Sequence, residues 1–395
     1  MGNFKINKLD LIIFCLTLES INISTPLGNL SIAFISILIS TLFVFPKIKR
    51  YKISDFYPLI FFALWITIIS FFQGNSLLGN LSRCYSLVYL GIIIPDLKIN
   101  KIKVVSAFRR ILNLHSFILI LDYFFNVPWS WNNEDLFMIG INQNFNRATG
   151  LFLEPSYFGL TVNLILLILV ISKQVKKRDF LIVIISSFLT SSLSAILGAI
   201  LITSLYYFRF IIKNLINIFS ERDRLRIEMK YLGTFIIFLL LISINLTNKD
   251  VVYRITNPYH DSSSMSRIFG SYFTFKKVLE NSPIYGYGLG GRDIDKILES
   301  FGKTFTLDEV GGSKIETNHP ANRIFRLSLV NIFVVLIFIG GLPLLIIFNY
   351  YLLNSFGISI YLIIFIILSF FTGSLWNPLY FLTPAISKFF KNNNK

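Results

Sequence analysis

A chain of 395 residues that is 54% hydrophobic and 15% charged, with a mean hydropathy of +0.66, does not read as one or two soluble domains. Apolar runs of membrane-spanning length recur from its first fifty residues to its last fifty, which marks a polytopic membrane protein. The net charge of +16 invites a nucleic-acid partner, but the long polar segment from Asn248 to Pro320 carries nine basic and nine acidic residues and so contributes nothing to it. The surplus sits in short connectors, such as those from Lys47 to Lys52, Lys98 to Lys103, Lys173 to Arg178 and Arg209 to Lys230; that is a topology signal and no nucleic acid is expected.

In chain order, Lys5 and Lys8 precede an apolar stretch that lacks a small-residue cleavage site, which reads as an uncleaved first span. Spanning helices are expected near 9–24, 26–46, 55–73, 80–96, 104–126, 155–172, 178–191, 193–212 and 231–247. Beyond Pro320, apolar segments cover 322–354 and 357–375, and Gly340-Gly341-Leu342-Pro343 is either a kink or a tight turn. The total is about 10–12 transmembrane helices in a single membrane domain, 1–395, all of it α-helical. Cys15 and Cys84 lie in or beside apolar runs and are expected as buried free thiols.

With the amino terminus cytoplasmic, each basic connector falls inside, leaving Arg83 near an outer helix end as the one awkward charge. The same topology puts 127–154 and the large loop 248–320 outside, so the chemistry belongs to the non-cytoplasmic face. No internal repeat or matched pair of broken helices is visible, which lowers the prior for a transporter.

The segment Arg147-Ala-Thr-Gly150-Leu-Phe152-Leu-Glu154-Pro155-Ser156 sets an arginine and a glutamate at the mouth of a span, where charge is expensive. Pro155 suits the first position of a helix, which leaves Glu154 at the cap. A cap explains Glu-Pro-Ser but not the preceding Arg-Ala-Thr-Gly, so both readings stay open. In the loop, Arg254 follows a span and Ser266-Arg267 opens an amphipathic helix with Ile268, Tyr272, Phe275 and Leu279 as its apolar stripe. Such a helix lies on the outer leaflet or caps the bundle.

Gly286, Gly288 and Gly291 match a dinucleotide-binding spacing, but they follow a helix rather than a strand; a tight turn that brings backbone close to the bundle or to a ligand is the better reading. His319, beside Asn318, Asn322 and Arg323 where the chain re-enters lipid, is a candidate functional histidine, unlike His115 in a span or His260. Three dispersed histidines and one Asp293-Ile-Asp295 between Arg292 and Lys296 make no metal site, and no cofactor is expected.

Taken together, Arg147-x-x-Gly150-x-Phe152-x-Glu154-Pro155-Ser156, the serine-rich stretch from Ser187 to Ala195, the run from Arg267 to Gly291 with its Asn-Ser-Pro-x-x-Gly-x-Gly ending, and the histidine-asparagine segment before a late span resemble the O-antigen polymerase (Wzy) family. The resemblance covers most of the chain as architecture and a small part of it as motif. It implies a membrane-embedded glycosyltransferase with a GT-C-like bundle, in the multi-pass bacterial inner membrane, acting in lipopolysaccharide or other surface polysaccharide biosynthesis. Its substrate would be an undecaprenyl-pyrophosphate-linked oligosaccharide repeat unit, polymerised on the periplasmic face without metal. Membrane lipid and a chain-length regulator protein are the other implied partners. Arg147, Arg254 and Arg267 would bind the pyrophosphate, and the base would be Glu154 or His319. Ligase-like relatives place asparagine directly after the histidine, whereas Pro320 and Ala321 intervene here before Asn322. The alternatives are an O-antigen ligase transferring polymer to the lipid A core, and a flippase for the lipid-linked oligosaccharide.

Overall fold

The computed structural model describes residues 8–18, 22–25, 28–43, 57–72, 78–96, 100–125, 148–152, 155–190, 192–218, 270–288, 331–371 and 377–392. These form a bundle of α-helices with one small hairpin. The expected span at 231–247 lies outside the described residues.

The chain starts with α1 (Lys8–Thr17), the antiparallel strands β1 (Asn22–Thr25) and β2 (Gly28–Ser31), and α2 (Ile32–Phe43). This corrects the expected first two spans, which were to meet at residue 25. The reason is local: Asn22, Ser24, Thr25, Asn29 and Ser31 interrupt the apolar run, Ile23 and Thr25 favour extended backbone, and Pro26 cannot continue a helix. α1 has 10 residues and rises only about 15 Å, half of a bilayer core.

Next come α3 (Tyr57–Phe72), α4 (Leu78–Ile93) with a 3-10 turn at Ile94–Asp96, α5 (Lys101–Phe125), α6 (Pro155–Ile171), α7 (Lys177–Leu189) and α8 (Leu193–Ile218). Each overlaps an expected span. α9 (Ser271–Asn281), α10 (Ile332–Phe356), α11 (Ile360–Phe371) and α12 (Leu379–Asn392) complete the described helices. α12 was not among the expected segments, which ended at 375. Asn377 caps the helix, its Oδ1 accepting from Leu379 N–H at 2.9 Å, with Pro378 at the start where a missing N–H is harmless.

α6 is the centre. Every residue from Phe158 to Ile171 is buried, as a helix apolar on all sides must be. Around it stand α5, α7, α8, α11 and α12, while α12 also reaches α4 and α10, and α3 lies along α10. The α6–α8 contact is close because of small residues: a Cβ on Gly159 would lie 2.2 Å from Ala195 Cβ. Asn163 of α6 then donates from Nδ2 to Ala195 O at 3.0 Å. Small residues let the two backbones approach, and the interhelical hydrogen bond lies beside them.

Two helices among the described residues, α5 and α10, are long and apolar enough to cross a membrane, judged by length and composition. Many of the bundle's outward residues are large and apolar, including Phe71, Phe72, Phe124, Phe125 and Ile346.

Candidate functional site

Arg147, Glu154, Arg254, Arg267 and His319 all lie outside the described residues. The structure describes backbone between Arg147 and Glu154, and from residue 270 to 288 after Arg267.

Between Arg147 and Glu154, residues Ala148 to Phe152 form a turn closed by Phe152 N–H to Thr149 O at 3.2 Å. Gly150 takes φ of 59°, the left-handed region that favours glycine. Asp122, in the last turn of α5, fastens it: one carboxylate oxygen, Oδ2, accepts from Thr149 N–H at 2.8 Å and from Gly150 N–H at 2.9 Å. Hydrogen bonds of peptide N–H groups to an ionised carboxylate are stronger than those between neutral groups. Ala148, Leu151 and Phe152 are buried beneath.

Phe152 carries the turn into the core. Its ring lies edge-on to Phe158 of α6 at 5.7 Å and tilted against His115 of α5 at 5.3 Å. His115 is 1% exposed, and its Nε2 meets the Thr17 hydroxyl at 2.6 Å. His115 is therefore a packing residue joining α1, α5 and this turn. α6 begins at Pro155, where the sequence puts its start.

The long loop contributes a second fixed piece. α9 falls within the expected helix, whose opening at Ser266-Arg267 and stripe residue Ile268 lie outside the described residues, but its buried face is Ser271, Phe273, Thr274 and Val278, and Tyr272 of the expected stripe is exposed. The face is rotated because α9 packs on α10 rather than lying flat with its most apolar stripe down. Thr274 also turns its hydroxyl inward to Gly270 O at 2.7 Å.

After α9 the chain turns through Pro283 to Gly288 and docks on a break in α10. Gly341 there has φ of 66° and ψ of −168°, which resolves the Gly-Gly-x-Pro segment as a kink within one element. Such a break frees peptide groups, and each must find a partner where water is absent. Phe338 O accepts from Tyr287 N–H at 2.6 Å, Ile339 O from Gly288 N–H at 3.0 Å, and Leu342 N–H donates to Pro283 O at 2.7 Å. Gly340 O accepts from the Trp65 indole at 2.7 Å.

Glycine is required on both sides of this contact. A Cβ on Gly286, whose φ is 61°, would stand 2.5 Å from Phe338 O, and one on Gly341 would stand 2.2 Å from Ile284 O. Tyr287 stacks on Phe338 at 5.2 Å and Tyr285 on Trp65 at 6.4 Å. Burial pushes the Tyr287 phenol above its ordinary range, against a weaker opposing hydrogen bond with Asn281.

The sequence reading passed over Asp122 and the ion pairs of α5. Arg109 holds the fully buried Asp179 through hydrogen bonds of 3.0 and 3.2 Å and also donates to Gln174 O. Arg110 grips Asp10 bidentately at 2.7 and 2.9 Å. The available signal was the presence of Asp10, Arg109, Arg110 and Asp122 within or at the edge of expected spans, where an ionisable residue calls for a partner. Asp122 lies in the last turn of α5, and Arg109 and Arg110 lie nearer its middle, more than three turns earlier.

No protein-family model matches the chain, and no curated protein matches it.

Proposed function

We propose that this chain is a multi-pass bacterial inner-membrane glycosyltransferase. It polymerises undecaprenyl-pyrophosphate-linked oligosaccharide repeat units on the periplasmic face, with its amino terminus cytoplasmic. The observation that carries the reading is the Asp122-fastened turn: the stretch between Arg147 and Glu154 is tied to the end of α5 and leads directly into the buried α6. A charged segment at the end of a core helix, held by a carboxylate and packed through Phe152, has the fixed backbone that a preorganised site needs. Support for the membrane setting comes from the outward apolar residues and from α5 and α10.

In this reading the acceptor sugar hydroxyl attacks the anomeric carbon of the donor, and the bond from that carbon to the pyrophosphate oxygen breaks. Glu154 or His319 takes the hydroxyl proton. The departing lipid pyrophosphate carries the negative charge, which Arg147, Arg254 and Arg267 stabilise. The break in α10 would anchor the middle of the large periplasmic loop that carries two of those arginines, through Pro283 to Gly288.

Deleting the gene in its own host tests the reaction class. Lipopolysaccharide or its equivalent bearing a single repeat unit is the expected product. Bare acceptor would instead assign the chain to the ligases, and undiminished polymer would remove it from the pathway.

A further inference from the structure

We infer that a water-filled vestibule, open to the outer side, runs along the exposed face of α9 and reaches the break in α10. The inference rests on the membrane setting and orientation of the reading above and needs nothing of its polymerase chemistry.

The turn Pro283–Gly288 is docked far from the ends of the helices it touches. It bonds to Phe338, Ile339 and Leu342 of α10, and Tyr285 stacks on Trp65 of α3. Gly341 lies about 14 Å along α10 from Ile332 and about 22 Å from Phe356, and Trp65 lies about 12 Å from Tyr57 and about 10 Å from Phe72. With α10 crossing a hydrocarbon layer roughly 30 Å thick, the turn sits well inside that layer.

Backbone at that depth has to be paired or wet. Pro283 O and the N–H groups of Tyr287 and Gly288 are paired with α10, and Gly286 N–H donates to Ser282 O at 3.0 Å. The N–H groups of Ile284 and Tyr285 have no hydrogen-bond partner among the described residues. Both residues are exposed, at 51% and 60%. Irregular backbone is tolerated inside a membrane where protein buries it or water meets it, and here the exposed side of the turn leaves water.

The side chains of α9 are an independent sign. Tyr272, Lys276 and Glu280 recur at every fourth position and are exposed, as is Asn281. The side chains of Lys276 and Glu280 are 46% and 44% exposed, and their ammonium and carboxylate stand 3.9 Å apart. Glu280 is within about 10 Å of Pro283 along the chain, so the charges continue down to the turn. Ionisable groups at membrane depth face the bundle interior or a water-filled cavity, and this stripe is not the side of α9 that is buried. Lipid against it would leave two peptide donors and an exposed ion pair in hydrocarbon, whereas water satisfies all of them. The chain enters and leaves the turn through the loop 248–320, which the reading above sets outside, so the water comes from that side. Ile346 of α10, beyond the break and 64% exposed, is apolar and faces lipid.

The test is thiol accessibility. Glu280→Cys, Ile284→Cys and Ile346→Cys are made in the full-length protein, all at exposed side chains so that packing is spared. Spheroplasts carrying each variant are treated with a membrane-impermeant sulfonated maleimide, and wild type, with its buried Cys84 and half-buried Cys15, measures the background. The reagent attacks the thiolate, which forms in water and not in lipid, so Glu280→Cys and Ile284→Cys should label at least about tenfold faster than Ile346→Cys. Detergent should then narrow the gap by uncovering Ile346→Cys. Slow labelling of all three overturns the vestibule while leaving the membrane setting, and fast Glu280→Cys beside slow Ile284→Cys overturns its reach to the break. Fast labelling of all three puts α10 in water and overturns the membrane setting as well. Labelling of Glu280→Cys only in inside-out vesicles overturns the outward opening, whereas absent polymerase activity leaves the vestibule standing.

Discussion

The turn at Pro283–Gly288 and the turn at Thr149–Phe152 both lay irregular backbone against a long helix, but they are fastened by different chemistry. The first is held by peptide groups and one indole, and its contact has no ionised member. The second is held by the carboxylate of Asp122. Peptide bonding of the first kind satisfies a broken helix and has no further requirement, which marks it as architecture. A carboxylate beside the end of a core helix is costly unless paired, and here it positions the stretch between an arginine and a glutamate. The difference separates a brace from a candidate site.

Changes at the brace should act on stability first. Gly341→Ala should have the largest effect, about 3 kcal/mol, because it combines a left-handed φ with a collision against Ile284 O and disrupts the Leu342 to Pro283 bond. Thermal unfolding in detergent measures it, and a melting temperature equal to wild type would mean that the turn is not docked there.

Asp122→Ala should cost about 2 kcal/mol by leaving two peptide N–H groups without their acceptor, and it should lower elongation activity far more than Gly341→Ala does per unit of stability lost. Asp122→Asn keeps an acceptor oxygen and should restore part of both. If activity in the two variants simply follows melting temperature, the turn at Thr149 is a brace like the other.

Trp65→Phe removes one hydrogen bond to Gly340 O while keeping an aromatic face for Tyr285, so a loss of about 1 kcal/mol is expected in the same unfolding assay. The smallest effect belongs to Glu280→Gln on α9, where exposed pairs with Lys276 at 3.9 Å and Lys277 at 3.3 Å should contribute less than about 0.5 kcal/mol. A larger change there would show that the outer face of α9 is covered.

Sequence periodicity and apolar length were enough to locate most helices, because α6 and α10 are apolar over nearly their whole length, α5 carries a long, mostly apolar stretch from Ile111 to Leu121, and Pro155 marks a helix start. They failed where tertiary contacts decide. The expected segments stopped before α12, whose start is a local cap by Asn377, and the buried face of α9 is set by α10 rather than by its own most apolar stripe. The glycines at 286 and 288 could be read as a turn near the bundle, but the break they serve, at Gly341, is far away in sequence and shows only in the backbone dihedrals and hydrogen bonds. Of the candidate site, the sequence supplied Arg147, Arg254, Arg267, Glu154 and His319. Asp122, which organises the neighbouring backbone, was legible only as a carboxylate near a span's end.

The most direct test of the central claim is elongation by the purified protein in liposomes supplied with undecaprenyl-pyrophosphate-linked repeat units. Wild type should build a ladder of longer chains, and Arg147→Ala and Glu154→Ala, inserted at wild-type levels, should leave single units unextended. Normal ladders from both variants, or transbilayer movement of units without any extension by wild type, would contradict the account.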